Sequence, residues 1–386
     1  MSRLDRDLRL LAVAILFYAL AWGLFLRLLS TYALGLGASG VAIGIMNAIM
    51  LLTVTLGNAP GAWAARRFRL KPVITAVWWL SVAAPLCYYF APTWPWLIPG
   101  YVITGLSFSN NPAMKSYVFL KSEARQAAGN FAILYGIFPL GLTVAPLVGG
   151  VLADHWGMKT VFLASTALGA LSALTVSLIA DTPYHSADLP WTLRSLWRRR
   201  RFRRYVLFFF IGFLAAYVGQ DFVNPYLAQI HGQSFSALGV YSALTAFGTA
   251  TLTFAMGRLV DLRGPRAGIA GAVAALVVGA VLLLVGTGPV MWGLAALALG
   301  GLDAIRYVAN AIIGPSFRGV PLAWGYAVFD TAMGVPMMLG ALLGGVLFRL
   351  WAGLPFIVLG SVAAVLLLSL LVIDKTVDED APGGPH

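Results

Sequence analysis

The sequence predicts an all-α membrane protein with twelve transmembrane helices, arranged as two pseudo-symmetric six-helix halves around a central cavity. The chain has 386 residues, of which 60% are hydrophobic and 10% charged, and its mean hydropathy is +0.85. A soluble protein of this length could not bury so much apolar surface. Glycines also recur half a chain apart, with a shift of 195 residues: Gly37, Gly44 and Gly150 against Gly232, Gly239 and Gly345.

Apolar runs of about 20 residues are long enough to cross a bilayer. The runs, taken in order, predict spans at 8–32, 41–63, 72–92, 97–119, 128–153, 159–180, 205–230, 236–259, 266–288, 290–314, 322–348 and 354–373. The first run resembles a signal peptide, but it lacks a cleavage site and eleven spans follow, so we interpret it as a permanent helix. The predicted division is a first half (1–181), a basic linker (182–204), a second half (205–373) and a disordered acidic tail (374–386).

The basic residues predict the orientation. With the N-terminus in the cytoplasm, 21 of the 26 lysines and arginines fall on cytoplasmic segments, and only Lys159 and Arg349 fall on outer loops. This is the bias that membrane topology produces. We therefore predict an integral protein of a prokaryotic plasma (inner) membrane, with both termini cytoplasmic. The arginine run 198–201 in the linker is interpreted as a topology determinant next to anionic lipid headgroups.

Several function classes are disfavoured by the residues present. The distribution of the +12 net charge argues against nucleic acid, and Cys87 alone can form neither a disulfide nor a cysteine metal cluster. The sequence lacks the usual zinc-protease, serine-hydrolase and ATP-binding motifs, and its four histidines are predicted to lie in loops or the tail. We therefore expect no enzyme activity, no metal and no cofactor.

A few ionisable residues fall inside the predicted spans: Arg27, Lys115, Asp221, Asp303, Arg306 and Asp330. Each costs at least about 2.5 kcal/mol at bilayer depth, so each should face a cavity or a partner. Helical spacing groups polar and aromatic side chains on shared faces. These groups are Asp303, Arg306 and Asn310; Asp221, Asn224 and the neighbouring Gln220; Asn111 and Lys115; and Tyr18 and Trp22. Some of these charges also have a purely structural interpretation. Asp303 and Arg306 could form an ion pair that only neutralises their charges, Lys115 could extend to the membrane–water interface, and Asp330 could make a polar packing contact.

Two loop motifs identify the chain as resembling the major facilitator superfamily, with the bacterial twelve-helix members as the nearest comparison. The second motif comprises Gly257, Asp261, Arg263, Gly264 and Arg266; the first keeps Gly61, Arg66 and Arg69. Ala65 and Phe68 depart from the pattern. The resemblance implies a secondary transporter working by alternating access, in which Asp261 caps the start of span five from the opposite half. It also implies that spans one, four, seven and ten line the cavity.

Span five resembles the motif of the superfamily's antiporters. Its residues are Gly141, Ala145, Pro146, Gly149 and Gly150, with Ala145 in place of a glycine. Such a stretch thins and kinks a helix, so that a neighbour can approach closely. Close packing alone is an equally good interpretation. Tyr101 stands where drug/proton antiporters usually have an arginine, which disfavours that subgroup.

The sharpest hypothesis concerns Arg27 and Asp221. Both lie in the outer halves of their spans, and the repeat counterpart of Arg27 is Phe222, next to Asp221. We predict that the two side chains approach each other when the outer side is closed. Protonation of Asp221 would then weaken the pair and favour opening, which would couple protons to transport.

The leading functional prediction is proton-coupled export of a small organic solute by a monomer. It depends on the span-five motif and on cavity aromatics that include Tyr217 and Tyr226. The alternatives are proton-coupled uptake or exchange of an organic anion, with Arg27, Lys115 and Arg306 as the cationic groups, uptake or exchange of a sugar, and a non-transporting receptor on the same scaffold. The expected partners are the solute, protons and membrane lipids.

Overall fold

Helices are the only regular elements in the described part of the chain, which confirms the all-α prediction. The computed structural model describes residues 5–108, 111–122, 127–182, 197, 200–313 and 322–372. The first half contains α1 (Arg6–Gly23), α2 (Leu29–Gly35), α3 (Gly40–Arg67), α4 (Leu70–Phe90), a 3-10 helix (Trp94–Leu97), α5 (Ile98–Ser107), α6 (Asn111–Leu120), α7 (Ala127–Trp156) and α8 (Met158–Ser177). The second half contains α9 (Arg200–Gln220), α10 (Val223–His231), α11 (Phe235–Arg263), α12 (Pro265–Val285), α13 (Pro289–Leu299), α14 (Gly301–Ile313), α15 (Leu322–Leu350) and α16 (Leu354–Val372).

These helices follow the twelve predicted spans. Among the described residues, eight helical segments are long and apolar enough to cross a membrane, and they correspond to spans two, three, five, six, seven, eight, nine and eleven. A shorter apolar helix, Leu354–Leu370, corresponds to span twelve. Spans one and ten each consist of two short helices in succession, so no single helix there reaches the length of a bilayer. Span four is described on either side of residues 109–110, as α5 and α6.

Interruptions occur in the spans that were expected to line the cavity. Turns at residues 24–28 separate α1 from α2, and turns at 221–222 separate α9 from α10. Gly300 separates α13 from α14. An interrupted helix exposes backbone N–H and C=O groups, and inside a membrane these groups must find partners within the protein.

The two halves repeat each other in local detail. Ser39 caps α3 by accepting a hydrogen bond of 3.2 Å from the backbone N–H of Ala42, and Ser234 caps α11 in the same way from Ala237 at 3.3 Å. Each of these positions differs from its counterpart by 195 residues. The preceding turns use Gly37 and Gly232, both at positive φ (85° and 62°), where a side chain would be strained.

The halves are in backbone contact through glycines at one end of the bundle, and α3 and α15 also meet beyond their middle, where a Cβ on Gly334 would clash with the side chain of Thr55. We call the end with the backbone contacts, which carries the turns after α2, α7 and α10, the distal end, and the opposite end, which carries the N-terminus, the terminal end. A Cβ atom on Gly44 would lie 2.6 Å from the carbonyl oxygen of Ala341 and 3.0 Å from the Cα of Gly345. At the counterpart interface, a Cβ on Gly239 would lie 3.4 Å from the Cα of Gly150. The recurring glycines therefore allow backbones of opposite halves to meet.

Buried apolar side chains also join the halves only toward the distal end, within the described part of the chain. One hydrophobic cluster combines the distal part of the first half, for example Phe25 and Tyr88, with much of the second half. A separate cluster, which includes Leu11, Ile74 and Tyr117, occupies the terminal part of the first half alone. Among the described residues, the buried core is therefore shared between the halves distally, whereas the terminal part of the first half has a core of its own.

A polar cluster holds the first half together at its terminal end. The Nζ atom of Lys121 lies 2.6 Å from the Asp7 carboxylate, which also accepts a hydrogen bond of 3.2 Å from the backbone N–H of Ala180. Tyr117 donates to the carbonyl oxygen of Ala180 at 2.8 Å. Spans one, four and six thus meet at Asp7.

Candidate functional site

The interruption of span one is bound by a residue of the opposite half. The Nδ2 atom of Asn224 donates a hydrogen bond of 2.7 Å to the carbonyl oxygen of Arg27, and it lies 2.9 Å from the Oγ atom of Ser242. Asn224 is 7% exposed and sits just after the interruption of span seven. The two interruptions therefore face each other and satisfy polar groups that an unbroken helix would not expose.

The side chain of Arg27 also crosses to the second half. Its Nη2 atom lies 3.0 Å from the Oδ2 atom of Asp303, and the two side chains are 30% and 28% exposed. The Nε2 atom of Gln220 lies 3.5 Å from the other oxygen of Asp303. This exposure indicates that the ion pair borders open space within the bundle.

The direct partner of Arg27 differs from the predicted one. The sequence-based hypothesis paired Arg27 with Asp221, whereas the structure pairs it with Asp303. Asp303 lies in the first turn of α14, where the helix dipole favours a carboxylate. Asp221 lies in the turn between α9 and α10, is half-buried, and interacts electrostatically with both Arg27 and Asp303. One sequence-based alternative is an ion pair between this Asp303 carboxylate and Arg306, which lies on the same helix.

Arg306 lies one helical turn beyond Asp303 and is exposed. The nearly buried Tyr217 of α9 is within electrostatic range of Arg306, Asp303, Asp221 and Arg27. We call these five residues the central cluster. It contains two carboxyl and two guanidinium groups around one phenol, contributed by spans one, seven and ten. Such a cluster can exchange ion-pair partners and bind or release a proton.

Tyr18 and Trp22 form part of an aromatic group in the first half. The Tyr18 ring lies 5.0 Å from Trp78, 5.7 Å from Trp22 and 6.2 Å from Phe138, measured between centroids. Tyr18 is partly exposed, whereas Trp22 is 3% exposed. Trp22 is therefore a core residue, whereas Tyr18, like Phe138, remains partly accessible.

The other cavity candidates fall in different places. Tyr226 packs on Phe356 and His231, at centroid distances of 5.1 and 5.3 Å, and is 6% exposed in the distal part of the second half. Asp330 is half-buried on α15. The side chains of the remaining candidates lie outside the described residues, although their helices are described: Asn111, Lys115 and Asn310.

The loop motif differs between its two copies as the sequence suggested. Gly264 ends α11 at φ +85°, whereas Phe68 at the corresponding position has φ −110°. Asp261 is exposed and makes no hydrogen bond to another described residue. Arg69 pairs with Asp181 of its own half at 2.9 Å. The Nε atom of Arg266 donates a hydrogen bond to the carbonyl oxygen of Leu370. The remaining motif residues lie in α3, α11 or α12: Gly61, Arg66, Gly257, Arg263 and Arg266.

The span-five motif packs against span one. A Cβ on Gly23 would lie 2.6 Å from the Cβ of Ala145, so a glycine in span one compensates for the alanine in the motif. Gly141 faces Ala19, and Gly149 faces the carbonyl group of Leu24. These contacts run up to the interruption that carries Arg27, while Pro146 and Gly150 contact the opposite half near Gly239.

Two polar residues of the site were not singled out from the sequence. Ser242 is the repeat counterpart of Asn47, which lies 3.4 Å from Ser30 in the first half, so a position-by-position comparison at a shift of 195 would have found it. Asp154 contacts α11 of the opposite half. Among the described residues, no group of three His, Cys, Asp or Glu side chains is placed to hold a metal ion.

A sequence comparison decides the family. The profile described as Major Facilitator Superfamily matches residues 11–305, which is most of the chain. The chain belongs to the Major Facilitator Superfamily. Curated relatives in this family include an uncharacterised transporter of Methanocaldococcus jannaschii, 24% identical over 175 residues that cover 45% of each protein. Another is the purine ribonucleoside efflux pump NepI of Salmonella typhimurium, 24% identical over 249 residues, or 64% of this chain and 59% of the pump. The chain thus spans about half the length of the curated relatives it matches.

Solved structures of family members share the fold over nearly the whole chain. The nucleoside transporter NupG superimposes with a TM-score of 0.77 at 15% identity, covering 95% of this chain and 98% of NupG. A bacterial homologue of the human lysosomal transporter Spinster, in an inward-facing and unoccupied conformation, superimposes with a TM-score of 0.72 at 18% identity, covering 95% and 96% of the two chains. These neighbours are transporters rather than enzymes.

Proposed function

We propose that the chain is a secondary active transporter that exports a small organic solute in exchange for protons, by alternating access to the central cavity. The observation that carries the proposal is the ion pair between Arg27 and Asp303. It joins the two halves through partly exposed side chains, and Asp221 interacts electrostatically with the same guanidinium. Charged groups at this depth are rare because they are costly, and transport pathways are where membrane proteins retain them.

The geometry supports an alternating-access cycle. The halves are in backbone contact at the distal end, at Gly44 and Gly239, and in this proposal the cavity opens toward the terminal end. With the terminal end in the cytoplasm, as the lysine and arginine bias favours, this is the inward-facing state. The opposite state requires the halves to separate at the glycine contacts and to meet at the terminal end.

Proton coupling would act through the choice of partner for Arg27. When Asp221 carries a proton, Arg27 is left to Asp303 alone; when Asp221 is ionised, two carboxylates share one guanidinium. The two arrangements differ in the contacts that Arg27 makes between the halves. A proton can therefore shift the balance of states, as a ligand with different affinities for each state would.

Nucleosides are the first solute class to test. Two of the proteins that this chain resembles are named for nucleoside transport or purine ribonucleoside efflux. The partly exposed ring of Tyr18 could stack on a base, and Gln220 could donate to a ribose hydroxyl. This assignment concerns the solute and is separate from the direction of transport.

The test uses purified protein in proteoliposomes with labelled inosine. Exchange for protons predicts accumulation when the lumen is acidic and the bath is neutral, and no accumulation with the gradient reversed. D221N and D303N should abolish accumulation but retain exchange of labelled for unlabelled solute. D181N, which removes a carboxylate far from the cavity, is the matched control. Accumulation driven by an acidic bath would overturn the export proposal.

A second candidate is proton-coupled uptake of an organic anion. Two observations favour this candidate. Arg306 is exposed, so its guanidinium can reach a bound anion, and a protonated Asp221 would leave the central cluster with one more positive than negative charge. The same assay with a labelled dicarboxylate distinguishes the two, since this candidate requires accumulation from an acidic bath and its loss in R306Q.

A further inference from the structure

A carboxylate of the first half binds the start of a helix in the second half at the distal end. Asp154 lies in the last turn of α7. Its Oδ1 atom accepts a hydrogen bond of 2.9 Å from the backbone N–H of Phe235, and its Oδ2 atom accepts one of 2.7 Å from the N–H of Ser236. These are the first two residues of α11.

The contact satisfies a specific physical need. The first N–H groups of a helix have no acceptor within the helix, and the helix dipole makes them attractive to an anion. At the start of α11, the Ser234 side chain accepts from Ala237, while Asp154 takes the two N–H groups before it. Hydrogen bonds to an ionised carboxylate are stronger than neutral ones. Asp154 thus completes the cap of a helix that belongs to the other half.

We propose that Asp154 is a latch that holds the distal end closed, and that its bonds to Phe235 and Ser236 break each time this end opens. α7 and α11 belong to opposite halves and are in backbone contact one turn away, between Pro146 and Gly239. Separation of the halves here must remove the carboxylate from α11. The proposal needs alternating access, but it depends on neither proton coupling nor the identity of the solute.

The repeat makes this latch asymmetric. The counterpart of Asp154, 195 residues later, is Arg349, whose backbone lies beside Gly40 at the start of α3. A cation is disfavoured at a helix N-terminus, so the second distal interface cannot carry the same latch. At the terminal end, Asp261 is exposed and makes no hydrogen bond to another described residue. Among the described residues, the carboxylate of one half that caps a helix of the other half is therefore at the distal end.

The test measures a distance across the distal end. Spin labels are placed on exposed turns of opposite halves, at Thr93→Cys and Thr287→Cys, in a background with Cys87→Ser. D154N and D154A should raise the ratio of distally open to closed molecules about threefold to thirtyfold, the range expected for a carboxylate at a helix N-terminus. D181N, a carboxylate at the terminal end, should leave the ratio unchanged.

A second pair of variants removes the donor instead of the acceptor. Phe235→Pro deletes the N–H that binds Asp154 at a position where proline is tolerated in helices, and Ser234 before it already has the extended backbone (ψ 163°) that proline requires. Phe235→Ala retains the N–H and controls for the lost ring. F235P should open the distal end relative to F235A. Unchanged distances in D154N, and equal distances in F235P and F235A, would overturn the latch.

Discussion

The side chain of Asn224 and the carbonyl oxygen of Arg27, 2.7 Å apart, join the interruptions of spans one and seven across the two halves. The repeat places a related bond inside the first half, where Asn47 lies 3.4 Å from Ser30. Asn47 and Ser242 are repeat counterparts at a shift of 195 residues, whereas Ser30 and Asn224 differ by 194 residues, so the two asparagine–serine contacts are related without matching position for position. Only the asparagine of the second half reaches the opposite half.

This difference predicts distinct effects for two similar substitutions. N224A should leave the Arg27 carbonyl without its donor only when the distal end is closed, disfavouring that state by about 1–3 kcal/mol. N47A should lower overall stability without changing the balance of states, because its bond lies within one half. Accessibility of distal cysteines to a membrane-impermeant thiol reagent measures the balance. Equal accessibility in both variants would contradict the prediction.

The Arg27–Asp303 pair should show energetic coupling. R27A and D303A should each destabilise the protein, and the double variant should cost less than their sum, with a coupling of about 1–2 kcal/mol. Unfolding in mixed micelles provides the free energies. The Arg69–Asp181 pair, in which Arg69 is 73% exposed, is the comparison, and its coupling should be smaller. A coupling no larger than that of the surface pair would show that the central ion pair does not hold the halves together.

Backbone contact at the distal glycines predicts a steric effect. A Cβ on Gly44 would lie 2.6 Å from the Ala341 carbonyl oxygen, so G44A should force the two halves apart at this interface. We expect a distally open protein with transport reduced at least about tenfold, since a shift of 1.4 kcal/mol changes a ratio of states tenfold. G136A, where no atom lies within 4 Å of the added Cβ and which lies outside the motifs, is the control. Wild-type transport by G44A would contradict close packing there.

Asp7 predicts a pH dependence of stability. Burial alone would raise the pKa of its carboxyl group, but hydrogen bonds from Lys121, Ala180 and Tyr117, together with the Lys121 charge, hold the pKa below its ordinary value. A lowered pKa contributes stability above the ordinary value, and this contribution is lost as the pH falls through the folded-state value. Thermal unfolding should therefore show that D7N destabilises the protein by about 1–3 kcal/mol at neutral pH and progressively less below about pH 4. A constant effect of D7N across this range would refute the assignment.

The order of the apolar helices was predictable because hydropathy reports directly on burial in lipid, and the eight long apolar segments and one shorter helix are consistent with twelve spans. The interruptions were not predictable. Residues 24–28 contain neither glycine nor proline, yet span one breaks there, whereas α7 continues through Pro139 and Pro146. In a membrane, the cost of unpaired backbone groups keeps a helix intact unless other residues supply partners, and those partners come from distant parts of the chain.

The central cluster was predictable in its members but not in its pairing. Periodicity and depth selected Arg27, Asp221 and Asp303, since charges are rare in apolar spans. The partner of Arg27 depends on how the first turn of α14 faces the interruption of span one, and that relation spans 276 residues of sequence. Asp154 was missed because a carboxylate in an outer turn resembles any solvated charge until the helix opposite is known.

The interruption of span one also has a consequence for biogenesis. During synthesis the first half enters the bilayer before Asn224 and Asp303 exist, so the Arg27 carbonyl and guanidinium lack the partners that they have in the finished protein. The inserted first half therefore carries unsatisfied polar groups in the bilayer until the second half has been inserted. Two halves made as separate polypeptides should accordingly accumulate together and be degraded when either is expressed alone.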